Sequence, residues 1–244
     1  MEPKQIYITR REPSYSVETW GARWREHGRF VRGLPLWAQI RHYEQCRVLR
    51  GTEVPSVGAA SQDYDGVGMV WFRNPEAVLA ALSDPTVGEV FEDEKDVFAD
   101  PIADTSLFTR ELVVRDTGAT TVKIVAFLRR RDGLTREEFS HHWEHVHAPV
   151  FLGVPEIDEH VTKYVQNHVT ERFTGVMGEH YDGVVEIGFA RSADIGRIFG
   201  QHYLATVRPD EQRFVDLDRM IVVVTDEVLL YEDALGDPRA APPS

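Results

Sequence analysis

Tyr64-Asp65-Gly66-Val67, followed by Val70 and Phe72, returns 117 residues later as Tyr181-Asp182-Gly183-Val184, followed by Ile187 and Phe189. Other signals recur in the same order. Asp93-Glu94 and Phe98 return as Asp210-Glu211 and Phe214, Trp20 and Trp24 as Phe139 and Trp143, and Tyr43 and Gln45 as Tyr164 and Gln166. The spacing drifts by a few residues at loops, as expected when one supersecondary unit is written twice.

The second copy reads most clearly. Val122 to Arg129 is an apolar, β-branched run stopped by the turn signal Arg131-Asp132-Gly133. Thr135 stands three residues before Glu138, the spacing of a capping box, and opens a helix expected to run to about His147 and to be closed by Pro149. Phe139, Trp143 and Val146 fall on its buried stripe, while His141, Glu144 and His145 point away. Lys163 to Val169, Gly183 to Ala190 and Met220 to Tyr231 read as strands, with a helix from Ala193 to Tyr203. The order is βαββαβ. The first copy follows it, with strands near 6–10, 41–48, 66–72 and 106–114 and helices near 17–31 and 75–84.

The chain therefore divides into a first repeat over 1–115, a linker over 116–121, a second repeat over 122–231 and a disordered charged tail over 232–244. A four-stranded antiparallel sheet with both helices on one face leaves its other face bare and apolar. Two copies in one chain cover those faces mutually, giving a monomer with an intrachain pseudo-dimer or, failing that, a homodimer.

Composition narrows the function. Forty acidic residues stand against 27 basic ones, and the arginines are scattered, which argues against nucleic acid as a partner. One cysteine, Cys46, allows no intrachain disulfide and no thiolate metal cluster. With no apolar leader and no stretch of spanning length, the expectation is a cytoplasmic protein without a membrane partner.

The second copy resembles the EthD family of the dimeric α/β barrel superfamily. The resemblance is carried by Val125-Ala126-Phe127-Leu128-Arg129-Arg130-Arg131-Asp132-Gly133-Leu134-Thr135, by Trp143 to Pro149, by Tyr164-Val165-Gln166-Asn167-His168 and by Tyr181-Asp182-Gly183-Val184. It implies an α+β fold, two ferredoxin-like halves pairing into a barrel, each with a pocket between sheet and helices. It also implies a cofactor-independent lyase or isomerase (decarboxylase, dehydratase, cyclase or lactone isomerase type) on a small, largely apolar oxygenated or aromatic substrate. The alternative is a non-catalytic binder of a hydrophobic metabolite or of haem.

His147 matches the histidine of the family's His-x-Pro segment, and an imidazole titrates where general acid or base work is done. His142, about 60° from Phe139 on the helical wheel, is expected to share its pocket. Tyr164, Gln166 and His168 lie on one strand face, offering a phenol, an amide and an imidazole to polarise a carbonyl. Trp143, Arg130, Tyr181 and Asp182 complete the candidate binding set, Arg130 as a carboxylate fork. No metal is expected: His141 and His145 are one turn apart but face solvent. In the first copy Arg23 replaces His142, Arg47 stands opposite His168, and His27 aligns with His147 only across a one-residue gap. The first site is accordingly expected to be degenerate.

Overall fold

The computed structural model describes residues 2–51, 60–173, 176–226 and 229–232. The first half carries β1 (Pro3–Thr9), α1 (Val17–Arg32), β2 (Ile40–Arg47), β3 (Gly66–Phe72), α2 (Pro75–Leu82), α3 (Val87–Glu94), a short α4 (Ile102–Thr105) and β4 (Ser106–Asp116). The second runs β5 (Val122–Leu128), α5 (Arg136–His142), α6 (Ala148–Leu152), α7 (Pro155–His160) and β6 (Val161–Val169). It continues through α8 (Val176–His180), β7 (Gly183–Phe189), α9 (Arg208–Phe214), β8 (Ile221–Asp226) and β9 (Leu229–Glu232). The tail from 233 onward lies outside the described residues.

The strands pair antiparallel in the order β8-β5-β7-β6-β4-β1-β3-β2-β9. Each half contributes the same ferredoxin-like order, β4-β1-β3-β2 and β8-β5-β7-β6, and the halves join where β4 pairs with β6. At the other seam β9 pairs with β2, and the Leu49 and Ser61 N–H groups donate to the Val224 and Val222 carbonyls at 2.8 and 2.7 Å. The ring is closed. Both bare sheet faces turn into one barrel, as the repeat requires, and among the described residues no long sheet edge is left open to other chains.

Apolar side chains such as Ile8, Val67, Phe127 and Val184 fill the barrel interior, but a charged network crosses it. Lys4 Nζ lies 2.5 Å from Glu186 and 2.7 Å from Glu111, and Lys123 Nζ lies 2.9 Å from both Glu186 and Glu44. Asn167 Nδ2 donates to Glu186 at 3.0 Å. Lys4 and Lys123 occupy matching places on the first strand of each half, so each lysine reaches a carboxylate of the other half.

One exchange across β1–β3 separates the halves. Tyr7 stands opposite Gly68, and the matching pair in the second half is Ala126 opposite Val185. A Cβ at Gly68 would sit 2.0 Å from the Tyr7 ring. Gly68→Ala is therefore expected to destabilise the protein by about 1–3 kcal/mol through overpacking, and Tyr7→Ala in the same chain to recover most of that loss. Thermal unfolding of the two variants checks it; an unaltered Gly68→Ala protein would contradict the packing.

The helix after β5 departs from its sequence reading. α5 opens on the capping box, with Thr135 accepting from the Glu138 N–H and Glu138 reaching back to the Thr135 N–H. Trp143–His147 then forms a π-turn, and the chain continues through Pro149 as α6 to Leu152. Pro149 does not close the helix, because in the first turn of a new segment its missing N–H has no carbonyl to serve. The wider turn also rotates Val146 off the buried stripe, leaving it 40% exposed. A second π-turn, Tyr203–Val207, precedes Pro209 in the same way. Here too the reading of one helix over 193–203 gives way to a 3-10 segment (Ser192–Phe199), the π-turn and α9.

Candidate active site

In the second half a cavity of about 110 Å³ lies between the sheet and the π-turns, walled by Ala126, Phe151, Val185, Phe199 and Phe214 among others. Its polar lining is His147, Tyr164, Tyr203, Arg208 and Glu211. The first π-turn ends on His147, and the second leads directly to Asp210 and Glu211. Inserted turns of this kind re-aim side chains, and here they set two segments face to face.

His147 Nδ1 lies 2.9 Å from Asp210 Oδ2, and both groups are buried. Because the Nδ1–H donates to the carboxylate, the lone pair of Nε2 is left for the cavity. Burial lowers the His147 pKa from its ordinary 6.5, outweighing the opposite pull of Asp210. The imidazole is neutral at pH 7, in the form of a general base. His142 Nε2 lies 3.0 Å from the other Asp210 oxygen, Oδ1, outside the cavity lining.

Tyr164 faces His147 across the cavity from β6. Its Oη accepts from Trp143 Nε1 at 3.2 Å and from Gln166 Nε2 at 3.0 Å. With both acceptor positions used, the phenol proton is presented to whatever occupies the cavity. Burial pushes the Tyr164 pKa upward, so the phenol remains a neutral donor. Nearby, Tyr203 Oη donates to Glu211 at 2.7 Å, and Arg208 pairs with Glu211 at 2.9 Å.

The remaining candidates fall elsewhere. Gln166 lies behind Tyr164, donating also to the Trp143 carbonyl at 2.9 Å. His168 Nε2 meets the Gln166 Oε1 acceptor at 3.1 Å, and its ring lies tilted against Trp143 at 4.7 Å, outside the cavity lining. Burial, with Arg110 adding, pushes its pKa down to about 4, which fixes it as a neutral donor to Gln166. Arg130, Tyr181 and Asp182 sit at the strand ends outside the cavity lining. Arg130 grips Asp182 through its backbone N–H at 2.8 Å and through its guanidinium. Arg11 and Asp65 do the same in the first half, at 2.9 and 2.5 Å. A tie present in both halves fastens strand ends, and the Arg130 fork is occupied within the protein. His141 and His145 lie ring to ring at 4.7 Å, with His145 57% exposed. Among the described residues no group of three or more metal-ligating side chains converges.

Asp210 is the residue that sequence reasoning left without a role, although Asp93-Glu94 recurring as Asp210-Glu211 had marked it. The first half explains the recurrence. His27 Nδ1 lies 2.7 Å from Asp93 Oδ2, and Arg23, in the place of His142, pairs with Asp93 at 2.6 Å. The one-residue gap between His27 and His147 is the extra residue of the π-turn. The departures that suggested a degenerate first site thus leave its histidine–aspartate pair in place. Gln45 also keeps its bonds to Trp24 O and Tyr43 Oη, at 2.9 and 3.0 Å.

Comparison with known proteins agrees with this doubling. The family model for the EthD domain matches residues 12–102 and again residues 131–218. The chain belongs to the EthD family. It is a tandem, two-copy member. Similar solved structures include an anthrone oxidase-like protein, at 9% identity and a TM-score of 0.58, covering 93% of this chain and 90% of that one. A variant of chlorite dismutase from Candidatus Nitrospira defluvii is similar at 14% identity and a TM-score of 0.54, covering 94% and 92%. At such identities the likeness concerns the EthD chain's fold, the dimeric α/β barrel. No curated protein matches its sequence significantly. No helix among the described residues is long and apolar enough to cross a membrane.

Proposed function

We propose that the protein is a cofactor-independent lyase or isomerase that removes a proton beside a carbonyl in a small, largely apolar oxygenated metabolite, using His147 as base. The observation that carries this reading is the His147–Asp210 pair, which leaves Nε2 free toward an apolar cavity. The C–H bond beside the carbonyl breaks, its proton passes to Nε2, and the electron pair moves onto the carbonyl oxygen. Tyr164 donates to that oxygen, and Asp210 steadies the imidazolium. Isomerisation and elimination both begin with this step. A cavity near 110 Å³ limits the substrate to about one ring, since about 150 Å³ is known to hold benzene.

Haem, the alternative ligand, does not fit the residues present. The second cavity is well below the roughly 300–1,000 Å³ of ordinary ligand pockets. The larger first-half cavity is lined by His27 and Glu94 and, among the described residues, by no lysine or arginine that would hold two propionates.

The test is carbon–deuterium exchange. Wild-type protein in D2O, incubated with cyclohexenone, cyclopentanone and a five-membered unsaturated lactone, is expected to exchange the C–H protons beside or conjugated to the carbonyl of at least one. The rate should hold through neutral pH and fall only below about 6.5, because the lowered His147 pKa keeps the base form to more acid pH. His147→Gln should reduce exchange to background. Exchange absent from the whole panel, or unchanged in His147→Gln, would overturn the proposal.

A further inference from the structure

The first half encloses about 410 Å³ between its sheet and helices α1 to α3, nearly four times the cavity of the second half. Substitutions across the repeat account for the difference. Where the second half puts Phe199 and Tyr203 into its cavity, the first has Leu82 and Thr86, 117 residues earlier. The mouth is apolar, with Leu82 and Phe91 exposed by 52% and 46%.

The chemistry differs as well. His27 lines this cavity with Nδ1 held by Asp93, and burial lowers its pKa despite that carboxylate. Glu94 lines it too, in the place of Glu211. Glu211 is tied to Tyr203 and Arg208, but the corresponding positions hold Thr86 and Phe91. Among the described residues the Glu94 carboxyl makes no hydrogen bond or ion pair. Burial, with Asp93 adding, pushes it up to about 8, so a neutral carboxylic acid faces the cavity at pH 7. A neutral base and a neutral acid thus share one apolar chamber, the pairing that separates acid and base roles.

We propose that the first half is a second, distinct active site that eliminates water from an uncharged β-hydroxy carbonyl compound of about two rings, with His27 as base and Glu94 as acid. Nε2 of His27 takes the proton from the carbon beside the carbonyl. The electron pair of that C–H bond forms a carbon–carbon double bond, and the bond to the β-hydroxyl breaks. Glu94 gives its proton to the departing oxygen, which leaves as water. Afterwards the His27 imidazolium returns a proton to the Glu94 carboxylate through solvent. No oxidant or reductant is involved. Its base and acid both come from the first half, Phe173 being the second half's contribution to the lining, so the site stands or falls apart from His147.

Two measurements test it on the whole protein. N-phenyl-1-naphthylamine, a neutral probe with a two-ring core, is expected to bind with enhanced fluorescence, and Ala81→Phe, which fills the cavity wall, to weaken that binding at least tenfold. 3-Hydroxy-1-tetralone, a two-ring β-hydroxy ketone, is expected to be dehydrated to 1-naphthol faster than in buffer. His27→Gln and Glu94→Gln should each lower that rate by about 10²-fold or more, while both variants retain probe binding. Glu94→Asp should restore part of the rate. Failure of the probe to bind, or binding indifferent to Ala81→Phe, overturns the site. Binding without accelerated dehydration, or dehydration that survives both glutamine variants, overturns the reaction.

Discussion

Lys123→Met should lower the free energy of unfolding by about 3–5 kcal/mol, the usual cost of removing one partner from a buried ion pair. Lys123 is fully buried and is held at 2.9 Å by both Glu44 and Glu186. Methionine fills similar volume, so the loss measures electrostatics more than packing. It leaves Glu44 with His42 at 2.9 Å and Glu186 with Lys4, each short of a countercharge inside the barrel. Urea unfolding at pH 7 followed by tryptophan fluorescence checks the value, with the slope expected to be unchanged. A loss below about 1 kcal/mol would contradict the burial of these charges.

The same network sets the acid stability. Burial pushes the carboxyls of Glu44 and Glu186 up, but Lys123 and Lys4 more than offset it. Glu44 falls to about 2 and Glu186 lies well below its ordinary 4.5. A carboxyl depressed on folding stabilises the native state above its ordinary value, and that contribution is lost as pH falls through the depressed one. Stability from these groups is therefore complete above about pH 4.5 and declines toward pH 2. In Lys123→Met the decline from these groups should be smaller and should end at higher pH, because the folded carboxyls are less depressed while their unfolded values are unchanged.

Asp210→Asn is expected to slow any exchange reaction catalysed by the second half by about 10²–10⁴-fold while leaving substrate affinity nearly unaltered. The carboxylate fixes the proton on Nδ1; an amide can offer its own N–H instead and turn the lone pair away from the cavity. It also withdraws the charge that steadies imidazolium. His142 touches only the far carboxylate oxygen, so His142→Gln should have a smaller effect. Exchange rates and the concentration dependence of both variants, read against wild type, decide the matter. Equal losses in both would move the function of Asp210 from catalysis to packing.

The fold was legible because three independent periods agreed: two residues in the strands, 3.6 in the helices and 117 between the copies. Closure of the barrel followed from the bare sheet faces. The site was legible only in part. His147, Trp143 and Tyr164 could be placed because a helix stripe and a strand face say which way side chains point. Neither pattern says how far along an element a cavity extends, which is why His168, Arg130, Tyr181 and Asp182 were grouped with them. The π-turns carry no residue signature beyond a gap in the alignment of the two halves. Asp210 lies 63 residues from His147, and only its recurrence with Asp93 pointed toward it.

Joining both halves in one chain has an evolutionary consequence. In a barrel made of two identical subunits, every substitution appears twice, and a change that suits one chamber is imposed on the other. Here Tyr7 with Gly68, or Glu94 without its tyrosine and arginine, alters one chamber and leaves its twin alone. The shared elements, the Arg–Asp ties, the Gln–Trp bonds and the crossed lysines, hold the ring together while each chamber is free to acquire its own ligand.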